Sequence, residues 1–306
     1  MGQTRHPPVR YDEPATVVGD MEQLSLLEAS RQEAPGLNDR AHVIRLADRL
    51  LVELEERPPI SLDTVAGWQG ISEIRYSPLP TGGCLVTDPT TARSEIRLRQ
   101  RDHPLRQRFS GFHEVTHTFM PGYQLRIQWR CDPSPHRQSQ ADVEGLCDHG
   151  AAELILPRRF VTADLAEASF GMTTVVDLSD RYEASLQASA HRFVGLWPED
   201  TLLIVAERAN KPSEGNDPTA PAKLRVGYAW RRGDWPFIKP HKSFADDDPL
   251  QRALAGEVID EDASLREVAD RELEDLHVSA QLCPYTDAQG RRHERVLALY
   301  RKRRRR

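Results

Sequence analysis

Cysteine is scarce and scattered in this chain. Its 306 residues hold four, Cys84, Cys131, Cys147 and Cys283, with no Cys-x-x-Cys pair among them. Such spacing excludes a cysteine-built structural zinc cluster and a disulfide framework, and it suits a reducing compartment. Long apolar runs are missing too. No stretch approaches the about 18 residues needed to cross a bilayer, so no membrane partner is expected. The opening MGQTRHPP has no apolar segment behind it of the kind a secretory leader carries, and a cytoplasmic protein is the expectation. An excess of positive charge is also lacking. With 41 Lys and Arg against 47 Asp and Glu, the net charge of −6 excludes a general nucleic-acid coat. Apolar content of 39% suffices for buried cores, and 306 residues exceed the usual single domain, so two domains are expected.

What the chain does have is Phe112-His113-Glu114-Val115-Thr116-His117. His-Glu-x-x-His on a helix places two imidazoles one turn apart on one face, close enough to bind a single metal ion. The Glu beside the first His then lies next to the fourth coordination position, where a metal-bound water reacts. Phe109, Phe112, Val115 and Phe119 form an apolar stripe at spacings of three and four, and Pro121-Gly122 stops the helix. The stripe predicts a helix whose two His lie at the edge of a core.

Catalytic zinc takes three protein ligands and leaves one position open. Ala141 to Pro157 reads as a second helix, with Val143, Leu146, Cys147, Gly150, Ala151 and Leu154 on its apolar side. Glu144 and Asp148 stand one turn apart on it. Glu144 can be the third ligand, while Asp148 can hydrogen-bond the far nitrogen of a ligating His and fix its tautomer. The reading is a zinc peptidase core with one Zn2+ per chain, held by His113, His117 and Glu144. In it, Glu114 takes the proton of the attacking water and passes it to the leaving amine. Tyr123, His136 and His149 are the candidates for a further oxyanion donor, and the sequence leaves the choice among them open. His136 sits in the polar stretch 130–140 and reads first as a solvated loop residue, and His149 points about 100° away from Asp148 on its helix.

A Glu placed 27 residues after the second His, followed by a small-residue helix ending Ala-Ala-Glu-Leu-Ile-Leu-Pro, resembles the ImmA/IrrE family of metallopeptidases. The matching residues are His113, Glu114, His117, Glu144, Ala151, Ala152, Leu154, Ile155 and Pro157. Four positions depart from the family's pattern: Thr116 replaces a Gly, Cys147 an Ala, Asp148 an Asn and Gly150 a Phe. The resemblance implies a zincin-like domain and, as substrate and partner, a helix-turn-helix transcriptional repressor, whose cleavage relieves repression in a stress or mobile-element response. The competing reading keeps the zinc but not the chemistry: a regulator that binds a repressor or small ligand stoichiometrically.

The whole chain reads as α+β. Residues 1–37 are a polar arm expected to be disordered or loosely docked, with only a short helical stretch around Met21 to Ala29. Residues 38–160 form the metallopeptidase domain of helices with a small sheet. A helix capped by Asn38 or Asp39 and a second one opened by Ser61 and closed by Gly70 come first. Strands at Ile74–Tyr76, Cys84–Thr87 and Glu95–Arg99 follow, the last being the candidate edge strand for an extended substrate. Residues 161–198 form a helical connector of helix-turn-helix type turning at Glu183-Ala184-Ser185. Its second helix carries only His191 and Arg192 as basic residues, so structural packing outweighs DNA binding.

Residues 199–300 resemble a GAF-like α/β sensory or docking domain, with strands at Leu202–Ala206, Leu224–Trp230 and Val296–Tyr300 and helices at Leu250–Ala255 and Leu265–Leu276. Residues 246–275 carry twelve acidic and three basic side chains, an acidic solvated face. Residues 301–306 are a basic tail, read as solubilising.

Overall fold

Short local signals set most of the boundaries. In the computed structural model, residues 24–303 are described, apart from 89, 92, 124–127, 130–136, 215–220 and 288–289. The chain begins with α1 (Leu26–Glu33), where Ser25 and Glu28 cap each other's backbone. Next comes α2 (Asp39–Glu53), capped by the Asn38 side chain accepting from Ala41 N–H. Helix α3 (Leu62–Trp68) is capped by Ser61, and Gly70 follows it at φ +75°, a left-handed conformation that glycine adopts without a side-chain penalty. The polar arm is therefore ordered from residue 24 onward: Leu27 is buried and its N–H donates to the Phe119 carbonyl. Residues 1–23 lie outside the described residues.

The first sheet contains β1 (Ile71–Ser77), β2 (Gly83–Thr87), β3 (Ser94–Arg99) and β4 (Gln128–Trp129), in the order β1-β3-β2-β4. Strand β3 runs parallel to β1 and antiparallel to β2. The expectation that Glu95–Arg99 forms a substrate-binding edge is overturned. Both sides of that strand are hydrogen-bonded within the sheet, so it has no free ladder to offer a peptide. Helix α4 (Pro104–His117) packs on this sheet, on α3 and on α5 (Arg137–Ile155). Three shorter helices follow: α6 (Arg158–Ala166), α7 (Met172–Tyr182) and α8 (Leu186–Leu196). The α7–α8 turn forms at the expected place, with Glu183 left-handed at φ 48° and Ser185 capping Ala188 N–H.

The second sheet holds β5 (Thr201–Ala209), β6 (Lys223–Arg232), β7 (Ile259–Leu265), β8 (Leu273–Leu282) and β11 (Arg295–Lys302), ordered β6-β5-β11-β8-β7 and antiparallel throughout. Between β8 and β11 lies a small ribbon of β9 (Tyr285–Thr286) and β10 (Arg292–His293). Alternation along the central strands feeds two cores. Leu203, Val205, Leu297 and Leu299 enter the core shared with the helices before them. Leu202, Ile204, Val296, Ala298 and Tyr300 enter a second core under α9 (Pro249–Leu254), Trp235 and Phe244. A sheet covered on both faces needs near-continuous apolar strands, which explains the run Leu202–Ala206. Among the described residues, no helix is long and apolar enough to cross a membrane.

Two expectations for this half are corrected. Leu265–Leu276 is not a helix: β7 ends at Leu265 and β8 starts at Leu273. Leu265, Val268, Ala269 and Leu276 recur at helical spacing and are all buried, but from two strand ends and the turn between them. Residues 301–303, the first half of the basic stretch, are also not a free tail. Arg301 and Lys302 belong to β11, Lys302 lies within 3.7 Å of Asp200 and Asp234, and Arg303 pairs with Asp262 at 2.7 Å. Residues 304–306 lie outside the described residues.

One cap carries a pH consequence. Asp248 accepts from Leu250 N–H at the start of α9, and burial raises its carboxyl from 3.8 to about 6 in spite of that bond. A pKa raised in the folded state means that the fold holds this proton more tightly than the unfolded chain does. The contribution is therefore full below about pH 4 and lost as the pH rises through about 6. Asp248→Asn keeps the cap and removes the charge. Its stability relative to wild type, from urea unfolding, is expected to improve by about 1–2 kcal/mol between about pH 4 and about pH 7, the full shift being discounted for partial exposure. A pH-independent difference would contradict the assignment.

Candidate metal centre

The two histidines stand where the helix period puts them. Their rings on α4 are 5.0 Å apart, centroid to centroid, and meet edge to face. They lie deeper than the core edge that the sequence predicts, because α4 is buried along its whole final stretch from Ser110 to His117. Proline at its first turn and the His103 side chain accepting from Leu105 N–H start the helix.

Helix α5 brings its carboxylates to this pair. Asp148 Oδ1 lies 2.9 Å from His113 Nδ1, and Glu144 Oε2 lies 3.2 Å from His113 Nε2. Glu144 Oε1 is 3.6 Å from His117 Nε2. Both ring nitrogens of His113 thus face carboxylates of one neighbouring helix, one turn apart on the same face. Glu114 is fully buried against β2: a Cβ added to Gly83 would come within 3.1 Å of its Oε1. The glycine lets the carboxylate lie close to the strand backbone. The Glu114 charge also reaches Cys84, whose thiol is pushed up to about 11, chiefly by burial.

One residue near the histidines was not singled out from the sequence. A donor nitrogen of His113, one of His117 and the sulfur of Cys147 all lie within 4.8 Å of one another, and all three residues are buried. This His/His/Cys cluster can coordinate a metal ion. Burial and the surrounding carboxylates Glu144, Glu114 and Asp148 push the Cys147 thiol well above its ordinary value, so the uncomplexed side chain is a neutral thiol. A cysteine on an apolar helix face reads as core packing, and only its spacing of three from Glu144 marks it as sharing that face.

The remaining candidates are spread out. Tyr123 is half-buried just after α4 and packs against the first core. The charges acting on the half-buried His149 are Arg40 of α2, Asp148 and Arg192 of α8, none of them from α4, and burial lowers its pKa first of all. His136 lies outside the described residues.

Thr116 of α4 and Gly150 of α5 meet in space. A Cβ placed on Gly150 would lie 2.3 Å from Thr116 Cγ2 and 2.6 Å from its Oγ1. Thr116 is locked there by donating its hydroxyl to the Phe112 carbonyl at 2.8 Å. The space that a side chain at residue 150 of α5 would need is therefore filled from α4 by Thr116.

Residues 72–194 match the model of the Peptidase_M78 family, the IrrE N-terminal-like domain. An IrrE-like domain is thus present, running from β1 through the metal-centre helices to α8. No curated protein matches the chain. A solved structure described as a Mycobacterium tuberculosis transcriptional regulator is similar with a TM-score of 0.54 at 12% identity, over 86% of this chain and 76% of that one. At that identity the likeness is one of fold.

The Thr116–Gly150 contact generates a double-mutant test. Gly150→Ala is expected to cost about 1–3 kcal/mol by overpacking. Thr116→Gly combined with Gly150→Ala is expected to be about 1–2 kcal/mol more stable than the sum of the two single effects in chemical unfolding. Simple additivity would mean that the two positions do not share this contact.

Proposed function

We propose that this chain is a zinc-dependent endopeptidase whose centre is built by His113, His117 and Glu144. The observation that carries the reading is the double engagement of His113, with Glu144 at its Nε2 and Asp148 at its Nδ1. That arrangement suits a ligand on one nitrogen and an orienting carboxylate on the other. The donors present fit zinc: imidazole, carboxylate and thiol sulfur are its usual ligand types, gathered here around two buried histidines. Zinc bound there would polarise a scissile carbonyl and bring the pKa of a bound water toward about 7.

The protein's own groups do the rest. Glu114, next to His113 on the same helix, takes a proton from the attacking water at a carboxylate oxygen and delivers it to the departing amide nitrogen. Its burial against Gly83 fixes the carboxylate's position before substrate arrives. Asp148 holds the His113 ring in one tautomer and one orientation. Tyr123, His136 and His149 remain the candidate oxyanion donors.

As substrate we propose a helix-turn-helix transcriptional repressor, cut to relieve repression in a stress or mobile-element response; the IrrE-like match supports only the regulatory, peptidase-like family. The five-stranded antiparallel sheet then serves as a GAF-like sensory or docking domain. Direct DNA reading by the α7–α8 unit is not favoured. Arg192 is committed to Glu153 at 3.0 Å and to the Ala152 carbonyl, and His191 to the Tyr228 hydroxyl. A second reading, a zinc-binding regulator that acts by stoichiometric binding rather than cleavage, draws support from Cys147 beside the histidines.

Glu114→Gln is expected to retain metal and lose cleavage by a factor of at least about 100, whereas His113→Ala loses both. New protein N-termini compared between source cells expressing wild type or Glu114→Gln, under DNA damage, test this. One wild-type-dependent cut in a repressor would support the peptidase, and undiminished cleavage by Glu114→Gln would remove the mechanism. Asp148→Ala is expected to weaken zinc binding by about 10–100-fold in chelator competition. Unchanged affinity would remove Asp148 from the centre.

A further inference from the structure

Three donors are enough for a catalytic zinc, and this chain brings a fourth. Glu144 and Cys147 are three residues apart on α5 and share one helix face. Glu144 oxygens lie 3.2 and 3.6 Å from the histidine nitrogens, while the Cys147 sulfur forms the His/His/Cys cluster within 4.8 Å. Closed zinc sites take four protein donors, whereas catalytic ones keep a position for water. Thiolate sulfur is a zinc donor in both kinds of site.

We propose that Cys147 is a ligand of the bound metal, so that at rest the centre is a closed His113–His117–Glu144–Cys147 site. The inference rests on the zinc reading above and deepens it into a latent enzyme, one whose open position appears only when the Cys147 sulfur leaves. Cys147 completes the donor set from inside the helix pair, with no contribution from outside the chain. Loss of its proton on binding the metal gives thiolate, the form that ligates. A core cysteine without this role would pack as a small apolar residue and leave no sulfur at the metal.

X-ray absorption at the zinc edge of the full-length, zinc-loaded protein reads the donor set directly. Wild type is expected to show one sulfur neighbour at about 2.3 Å beside nitrogen and oxygen at about 2.0–2.1 Å. Cys147→Ala, or Cys147→Ser should alanine impair folding, is expected to lose the sulfur shell and keep the zinc. Cys84→Ala is expected to keep both. A wild-type spectrum with nitrogen and oxygen alone would overturn the inference and leave the His113–His117–Glu144 centre standing. So would a sulfur shell that survives in Cys147→Ala. Absence of bound zinc in wild type would overturn the centre and the inference together. Substitution with Co2+ gives a second readout: a thiolate-to-metal charge-transfer band present in wild type and absent in Cys147→Ala.

Discussion

The close approach of α4 and α5 is the constraint on which the centre depends. Gly150 has no side chain because Thr116 occupies its space, and Thr116 is held in place by its bond to the Phe112 carbonyl. At this separation the short side chains of Asp148 and Glu144 reach both nitrogens of His113. A wider gap would put Asp148 beyond hydrogen-bond range of the ring. The packing of two ordinary helices thus sets the orientation of an imidazole, and no loop has to be held in place for it. Rigid elements carry such a constellation with less loss of precision than loops do.

Burial works on the same groups in opposing ways. It fixes Glu114 against β2, and it pushes the thiols of Cys84 and Cys147 upward, with carboxylates adding to the effect. A cation among two imidazoles, two carboxylates and a thiol would counter that excess of potential negative charge. Buried charges are paired or coordinate metals, and the histidines here face carboxylates that are themselves partly exposed.

Much of this was legible in the sequence because it is local. The His-Glu-x-x-His helix, the caps at Asn38 and Ser61, the left-handed Gly70 and the turn at Glu183-Ala184-Ser185 all follow from neighbours within one or two helical turns. That Glu144 and Asp148 share one face was also readable, since helix period alone puts them there; which histidine Asp148 meets was not. What escaped was non-local. Strand β3 lies inside its sheet because β1 joins it in parallel across 22 residues of sequence, and pairing of that kind leaves no periodic mark. Leu265, Val268, Ala269 and Leu276 satisfied a helical spacing while belonging to two strands and a turn. The pattern reported burial faithfully and conformation wrongly. Cys147 was hidden by its own chemistry, because a buried thiol and a metal ligand look alike until the neighbours are known.

Two consecutive residues of α8 tie the halves of the chain together. Arg192 reaches one way, to the Glu153 carboxylate and the Ala152 carbonyl near the end of the metal-centre helix α5. His191 reaches the other way, stacking on Tyr228 of β6 and meeting its hydroxyl at 2.8 Å. The Arg192–Glu153 pair is nearly dry, and breaking such a pair costs about 3–5 kcal/mol because one charge is left buried alone. A displacement of the five-stranded sheet relative to α8 strains the His191–Tyr228 contact, and a displacement of α8 strains its hold on α5. The same two side chains that would serve a DNA-reading helix are thereby spent on joining the sheet to the helix that carries Glu144, Cys147 and Asp148. The helix-turn-helix shape of the connector is thus better explained as a mechanical coupling than as a groove reader. Packed contacts therefore run without a break from the five-stranded sheet through α8 to the end of α5.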